Sequence, residues 1–175
     1  NLAKYVGIRF GYSIIKAKKE LVEDLYSVYA RSRRYGFGRE AKRRIMIGTY
    51  ALSSGYYDSY YKKASVLRYK IAEDFKKAFE KVDIVASPVS PNLPFKLGEK
   101  LSDPLALYLE DIYLSAVSLA GLPALSLHCG FGEINGKKLP IGIQLIGKYF
   151  EEETILNAAY SFEINTDFHL VKPNI

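Results

Sequence analysis

The chain has 175 residues, of which 49% are hydrophobic and 25% are charged, values typical of a globular protein with a single core. Its formal net charge of +6 permits a polyanionic partner such as RNA without requiring one. The longest uncharged run is interrupted by Gly121 and Pro123, which argues against a membrane span. The single cysteine, Cys129, excludes an internal disulfide and is typical of a reducing compartment, so we expect a cytoplasmic protein.

The first third of the chain combines a predicted strand, a predicted helix and a basic stretch. Alternating aromatic and β-branched residues predict a strand over Tyr5–Tyr12, and apolar residues at helical spacing predict a helix over residues 19–31. Between Arg31 and Arg44 lie seven basic residues and one acid. This stretch is either a solvated loop followed by a basic helix start or an anion site, because arginine offers forked donors to carboxylate or phosphate.

The middle of the chain predicts a helix, a strand and a second helix. Apolar residues at steps of three and four predict a helix from Tyr56 to Lys81, followed by a short strand over residues 82–86 and a proline-rich loop over residues 87–102. Asp103 is suited to cap a helix whose first residue is Pro104. We expect that helix to continue to Gly121.

The last third predicts a hairpin and a final helix. Residues 124–127 form an uncharged apolar strand, which we expect at the centre of the sheet. Asn135-Gly136 is a turn signal, and residues 139–147 are the returning strand. Residues 154–163 predict a helix, and the chain from Thr166 onwards predicts a tail. These elements together predict an α/β fold with a mixed β-sheet covered by helices.

Two adjacent acids, Glu110 and Asp111, interrupt an otherwise apolar helical pattern. Neighbouring helical residues point about 100° apart, so at most one of these carboxylates is expected to face water. A carboxylate that faces an apolar interior needs a partner or a ligand. Either Glu110 is exposed and Asp111 caps nearby backbone, or Asp111 contacts a ligand.

The residues offer no recognisable nucleophile. No glycine-rich serine elbow, zinc-protease motif or paired-cysteine spacing occurs. His128 and Cys129 are neighbours on a predicted strand, so their side chains are expected on opposite faces and cannot form a dyad. We therefore predict no catalytic residue and no metal or cofactor site in this chain.

Five segments, in this order, resemble the amidase signature family, and within it the A subunits of tRNA-dependent amidotransferases. They cover nearly the whole chain, and the first is the most specific to those subunits. The segments are KRRIMIGTYALSSGYYDSYYKKA (42–64), VDIVASPVSP (82–91), DPLALYLEDIY (103–113), SLAGLPALSLHCGF (118–131) and LPIGIQLIGKYFEEETILNAAYSFE (139–163).

The resemblance implies that residues 1–175 are the C-terminal part of a single amidase-signature domain. Family members hydrolyse amides with a Ser, cis-Ser and Lys triad that lies in a glycine- and serine-rich region nearer the N-terminus. No such region occurs here, and the chain begins at Asn1 rather than methionine. The resemblance therefore implies that the catalytic part is absent and that the isolated chain is inactive.

The resemblance also assigns a substrate and two residues that bind it. By motif, Arg44 and Asp111 correspond to residues that hold the α-carboxylate and α-amino groups of glutamine. Glutamine hydrolysis would supply ammonia to convert Glu-tRNA(Gln) to Gln-tRNA(Gln), or Asp-tRNA(Asn) to Asn-tRNA(Asn). The implied partners are the B and C subunits, with ATP, magnesium and most of the misacylated tRNA bound by the B subunit.

Two positions depart from the family pattern, and two other functions remain open. Ser118 replaces a usual asparagine, and His128 stands where proline is common; neither position is catalytic in the family. The first alternative is an amidase of the same family that acts on a small amide without tRNA. The second is a non-catalytic RNA-binding module that uses the basic stretch from Arg31 to Arg44.

Overall fold

The computed structural model describes residues 2–17, 21–22, 24–99 and 103–172, and these residues form two compact units. The first unit is Asn1–Ala64 and the second is Ser65–Ile175. Helix α4 (Lys63–Phe79) begins at the end of the first unit and belongs mostly to the second. None of the described helices is long and apolar enough to cross a membrane.

The first unit is helical. Its elements are a 3-10 turn (Leu2–Lys4), α1 (Ile14–Ala17), α2 (Leu25–Gly36), α3 (Arg39–Ala51) and a π-helical segment (Tyr57–Lys62). Helix α1 packs against α2, where Ile14 is fully buried and its backbone N–H donates to Ser32 Oγ at 3.1 Å. This small core therefore includes a satisfied polar contact between the two helices.

Helix α2 begins later than the sequence predicts. Asp24 is its N-cap and accepts a 2.6 Å hydrogen bond from the backbone N–H of Ser27. That hydrogen bond stabilises the ionised carboxylate and holds the pKa of Asp24 below its ordinary value of 3.8. The predicted helix over residues 19–31 is therefore wrong at its start, and residues 19, 20 and 23 lie outside the described residues.

The predicted strand over Tyr5–Tyr12 is also wrong. Gly7 and Gly11 have φ angles of +82° and +83°, values that a regular strand does not contain. The backbone N–H of Gly7 donates to Phe10 O at 3.1 Å and closes a turn. A Cβ on Gly7 would lie 2.4 Å from Ser32 Oγ, so this turn approaches α2 too closely for any other residue.

The basic stretch is helical rather than a loop followed by a helix start. Helices α2 and α3 together contain all seven basic residues between Arg31 and Arg44 and are separated by Phe37 and Gly38. Phe37 N–H donates to Arg33 O at 3.2 Å, and Lys42 Nζ donates to Arg34 O at 2.8 Å. Arg33 and Arg34 thus provide carbonyl oxygens that join the end of α2 to the chain that follows it.

The second unit contains a three-stranded antiparallel sheet in the order β1-β3-β2. The strands are β1 (Ile84–Pro88), β2 (Ala124–Ile134) and β3 (Lys137–Gly147). The predicted hairpin is confirmed, because Asn135 and Gly136 have positive φ angles of 52° and 75° between β2 and β3. Strand β3, and not β2 as expected, lies in the middle of the described strands.

Helices contact both faces of this sheet. On one face Ile155 and Ala159 of α7 (Glu152–Ile164) are buried, and a Cβ on Gly147 would lie 2.7 Å from Ile155. On the other face the Gln144 side chain, 3% exposed, donates to Tyr113 O at 3.0 Å. The α/β arrangement predicted from the sequence is therefore present in this unit.

The predicted helix from Asp103 to Gly121 is two helices. Asp103 caps α5 (Pro104–Leu109) as expected, but the helix stops there and α6 (Ile112–Ala120) begins after Asp111. The backbone N–H of Asp111 donates to Tyr108 O, while Asp111 O accepts from the N–H groups of Leu114 and Ser115. The last turn of α5 is thus tightened by a hydrogen bond over three residues, and the hydrogen bonds of α6 start anew at Asp111.

Residues 168–170 fold against the sheet rather than belonging to the tail predicted from Thr166 onwards. Residues Phe168–Leu170 form a 3-10 turn that contacts β2. His128 Nδ1 lies 2.8 Å from Phe168 O, and its Nε2 lies 2.7 Å from Gly130 O. A bulge between His128 and Gly130 leaves Cys129 without a partner residue on β3.

Candidate functional site

The two residues assigned to glutamine by resemblance lie in different units. Arg44 lies on α3 in the first unit, and Asp111 lies between α5 and α6 in the second.

Arg44 is held by an acid one turn earlier on its own helix. Its Nε atom donates to Glu40 Oε1 at 2.9 Å, and its side chain is 56% exposed. The neighbouring Arg43 donates to the other oxygen of the same carboxylate. The pair is spaced i, i+4, the favourable spacing for a helical ion pair, so Glu40 restrains Arg44 from within α3.

Asp111 lies at the junction of α5 and α6 with an exposed side chain. Its backbone begins α6, but its carboxylate makes no capping hydrogen bond to that helix. Ser115 Oγ donates to the backbone oxygen of Asp111 at 2.9 Å, which adds a further restraint on the main chain. The main chain is thus fixed while the carboxylate is not used for capping.

Glu110 has a different environment from Asp111. Its Oε2 accepts from Ser90 Oγ at 2.6 Å, and its Oε1 accepts from Asn92 Nδ2 at 3.0 Å. Glu110 is half-buried. The interpretation that Glu110 is exposed and Asp111 caps nearby backbone is therefore wrong. Glu110 accepts hydrogen bonds from two side chains of a neighbouring loop, and the Asp111 side chain is exposed and caps no helix.

Both acids line a cavity of about 490 Å³ within the second unit. Its walls are the proline-rich loop (residues 89–95), the junction of α5 and α6, and residues 140–142 of β3. This volume falls in the range of small-molecule sites. The cavity combines apolar walls with the carboxylates of Glu110 and Asp111, which suits a ligand that carries an ammonium group and an aliphatic part.

Among the described residues, no group of three or more His, Cys, Asp or Glu side chains could hold a metal ion. Both ring nitrogens of His128 face backbone carbonyl oxygens, and Cys129 Sγ contacts Ile141 O at 3.5 Å. These two side chains therefore form no acid–base dyad with each other.

The sequence singled out Asp111 but not the loop that lies beside it. Ser90 and Asn92 are 20 and 18 residues from Glu110 in the chain, and no local pattern connects them to it. The only signal in the sequence was the proline-rich composition of residues 87–102.

A family model described as Amidase matches residues 1–156. The A subunit of glutamyl-tRNA(Gln) amidotransferase from Caldanaerobacter subterraneus subsp. tengcongensis is 56% identical over 163 residues, which are 93% of this chain and 32% of that protein. The corresponding A subunit from Acaryochloris marina is 50% identical over 175 residues, which are 100% of this chain and 35% of that protein. The chain thus spans about a third of the length of these relatives.

A solved structure, the S177A variant of Kluyveromyces lactis allophanate hydrolase, is similar in fold. Its TM-score is 0.55 at 23% identity, over 85% of this chain and 21% of that chain. The α/β, amidase-signature class predicted from the sequence is confirmed by the family match and by this similarity of fold. The resemblance to the A subunits of tRNA-dependent amidotransferases is confirmed by the relatives.

Proposed function

Because this chain belongs to the Amidase family, we propose that it is part of the glutamine-hydrolysing A subunit of a tRNA-dependent amidotransferase. The observation that carries the proposal is the identity of 50–56% to A subunits of glutamyl-tRNA(Gln) amidotransferases along nearly the whole chain. The chain spans about a third of their length, so the proposal concerns a protein that also contains the remaining part. The predicted single domain over residues 1–175 stays a prediction.

In this proposal, residues 1–175 form the side of the site that recognises glutamine, and the nucleophile lies outside them. Arg44 binds the α-carboxylate of glutamine, because a guanidinium donates two parallel hydrogen bonds to a carboxylate. Asp111 binds the α-ammonium group. Its exposed carboxylate at the edge of an apolar cavity supports this role.

The ammonia released would convert Glu-tRNA(Gln) or Asp-tRNA(Asn) to the amidated form. The B and C subunits would be partners, and the B subunit would bind ATP, magnesium and most of the misacylated tRNA. This chain would then need no cofactor of its own.

The proposal is tested by the kinetics of ammonia release from glutamine in the full-length protein. Arg44→Ala and Asp111→Ala should each raise the KM for glutamine about ten- to a hundred-fold, because each removes a charge-assisted contact. Arg39→Ala and Asp74→Asn are matched controls on exposed parts of α3 and α4 and should leave the KM unchanged.

An unchanged KM in both Arg44→Ala and Asp111→Ala would overturn the assignment of the glutamine site. A protein that releases ammonia from simple amides as readily as from glutamine would support the small-amide amidase instead. Activity of residues 1–175 alone would show that a serine of this chain is the nucleophile, contrary to the proposed division of the site.

A further inference from the structure

Glu110 is the half-buried member of an adjacent pair of acids, and its two oxygens have separate partners. Ser90 Oγ donates to Oε2 at 2.6 Å, and Asn92 Nδ2 donates to Oε1 at 3.0 Å. Both donors belong to the loop of residues 89–95, and Asn92 N–H also approaches Ser90 Oγ at 3.4 Å. A carboxylate bound on both oxygens has a fixed orientation, so Glu110 fastens this loop to the junction of α5 and α6.

The same loop is fastened to the sheet at its other side. Val89 N–H donates to Gly142 O on β3 at 3.1 Å, and a Cβ on Gly142 would lie 2.9 Å from Val89 Cγ2. Leu93 packs in the same manner on Gly132 of β2, where an added Cβ would lie 2.6 Å from Leu93. The hydrogen bonds of Ser90 and Asn92 to Glu110 hold the same loop toward the junction of α5 and α6.

This loop forms one wall of the cavity of about 490 Å³ that Asp111 also lines. We propose that Glu110 is a positioning residue that sets the distance between this wall and the Asp111 carboxylate, and so sets the affinity for the amino-acid end of glutamine. This inference rests on the proposed function, because it takes glutamine as the ligand of the cavity.

The division of labour between the two acids supports this role. Glutamine carries one ammonium group, and two adjacent ionised carboxylates facing it would offer alternative binding positions. The hydrogen bonds from Ser90 and Asn92 commit Glu110 to the loop, so Asp111 remains as the carboxylate for the ligand. The cavity therefore presents to the ligand one carboxylate that is not committed to the loop, that of Asp111.

The experiment measures KM and kcat for ammonia release from glutamine in the full-length protein. Glu110→Ala removes both hydrogen bonds of the loop and should raise the KM about ten-fold, with kcat within about two-fold, because substrate binding weakens without a change at the reacting atoms. Glu110→Gln should restore most of the affinity: its amide oxygen accepts from Asn92, and its amide N–H donates to Ser90 Oγ. Glu163→Ala, on the exposed side of α7, is the matched control.

Two further variants keep the test decisive if Glu110→Ala does not fold. Ser90→Ala and Asn92→Ala each delete one donor and should each raise the KM about three-fold. In a Glu110→Ala background that does fold, Ser90→Ala should add no further increase, because its partner is already gone.

The outcomes separate this inference from the proposed function. Suppose that Asp111→Ala raises the KM for glutamine while Glu110→Ala leaves it unchanged. That result would overturn the role of Glu110 and leave the proposed function standing, and so would an unchanged KM in both Ser90→Ala and Asn92→Ala. An unchanged KM in Arg44→Ala and Asp111→Ala would overturn both. A fall in kcat and in thermal stability with no change in KM would show a purely structural role and would also overturn the inference.

Discussion

His128 and Phe168 are 40 residues apart in the chain, yet His128 Nδ1 lies 2.8 Å from Phe168 O. The His128 ring also meets the Phe131 ring edge-on, with centroids 4.6 Å apart, and lies 5.9 Å from the Phe168 ring. One side chain of β2 therefore ties the segment after α7 to the sheet. Each ring nitrogen of His128 thus lies within hydrogen-bond distance of a backbone carbonyl oxygen, Nδ1 near that of Phe168 and Nε2 near that of Gly130.

We predict that His128→Ala lowers the free energy of unfolding of the full-length protein by about 2 kcal/mol, because the hydrogen bonding of the imidazole to the main chain and its aromatic contacts are lost. Urea unfolding measures this change, and limited proteolysis should show faster cleavage after α7. His169→Ala, an exposed residue of the same 3-10 turn, is the matched control and should change neither. Equal effects of the two substitutions would contradict the role given to His128.

The N-cap of α2 predicts a dependence of stability on pH. The pKa of Asp24 in the folded state lies below its ordinary value of 3.8, chiefly because the Ser27 N–H donates to its ionised carboxylate. A group with a lowered folded-state pKa contributes stability above its unfolded-state pKa, and that contribution is lost as the pH falls through the folded-state value. Asp24→Asn keeps a capping oxygen but removes this titration.

We therefore expect the parent protein to be more stable than Asp24→Asn at pH 7, and the difference to shrink as the pH falls below about 4. Urea unfolding at pH 7, 5 and 3 provides the comparison. Asp74→Asn removes one negative charge from an exposed position of α4 and controls for net charge. A difference that stays constant over this range of pH would show that Asp24 titrates alike in both states.

The parts of the fold that the sequence predicted are those with strong local signals. The hairpin at Asn135-Gly136 and the final helix depend on turn chemistry and apolar spacing within a short segment. The helix predicted from Tyr56 to Lys81 is an α-helix over Lys63–Phe79, and its predicted first turns are the π-helical segment Tyr57–Lys62. The break between α5 and α6 was missed, since no proline or glycine interrupts residues 105–120. The turn at Gly7 was missed because alternation of residue types does not reveal a positive φ.

In the candidate site, too, only features with a local signal could be predicted from the sequence. The Asp111 position was available from its motif, but the contacts of Glu110 with Ser90 and Asn92 bring together residues 18 to 20 apart across a proline-rich loop. Sequence reasoning identified two adjacent acids and could not decide which one faced a partner. That choice depends on where the loop packs, which is a property of the tertiary structure.

The Glu40 carboxylate should act on glutamine binding through Arg44. It accepts from Arg44 Nε at 2.9 Å, and the pair is exposed, with side chains 45% and 56% accessible. An exposed helical pair is worth about 0.3–0.5 kcal/mol, so we expect Glu40→Ala to raise the KM for glutamine only about two-fold, with kcat unchanged.

Glu40→Gln keeps an acceptor for Arg44 Nε but loses the ionic attraction. At high salt, where that attraction is screened, we expect Glu40→Gln and the parent protein to have the same KM for glutamine. Kinetics of ammonia release at low and high salt measure both effects, with Glu163→Ala as the control. If Arg44→Ala raises the KM and Glu40→Ala leaves it unchanged at low salt, Arg44 is held in place by other contacts, and the restraint assigned to Glu40 is wrong.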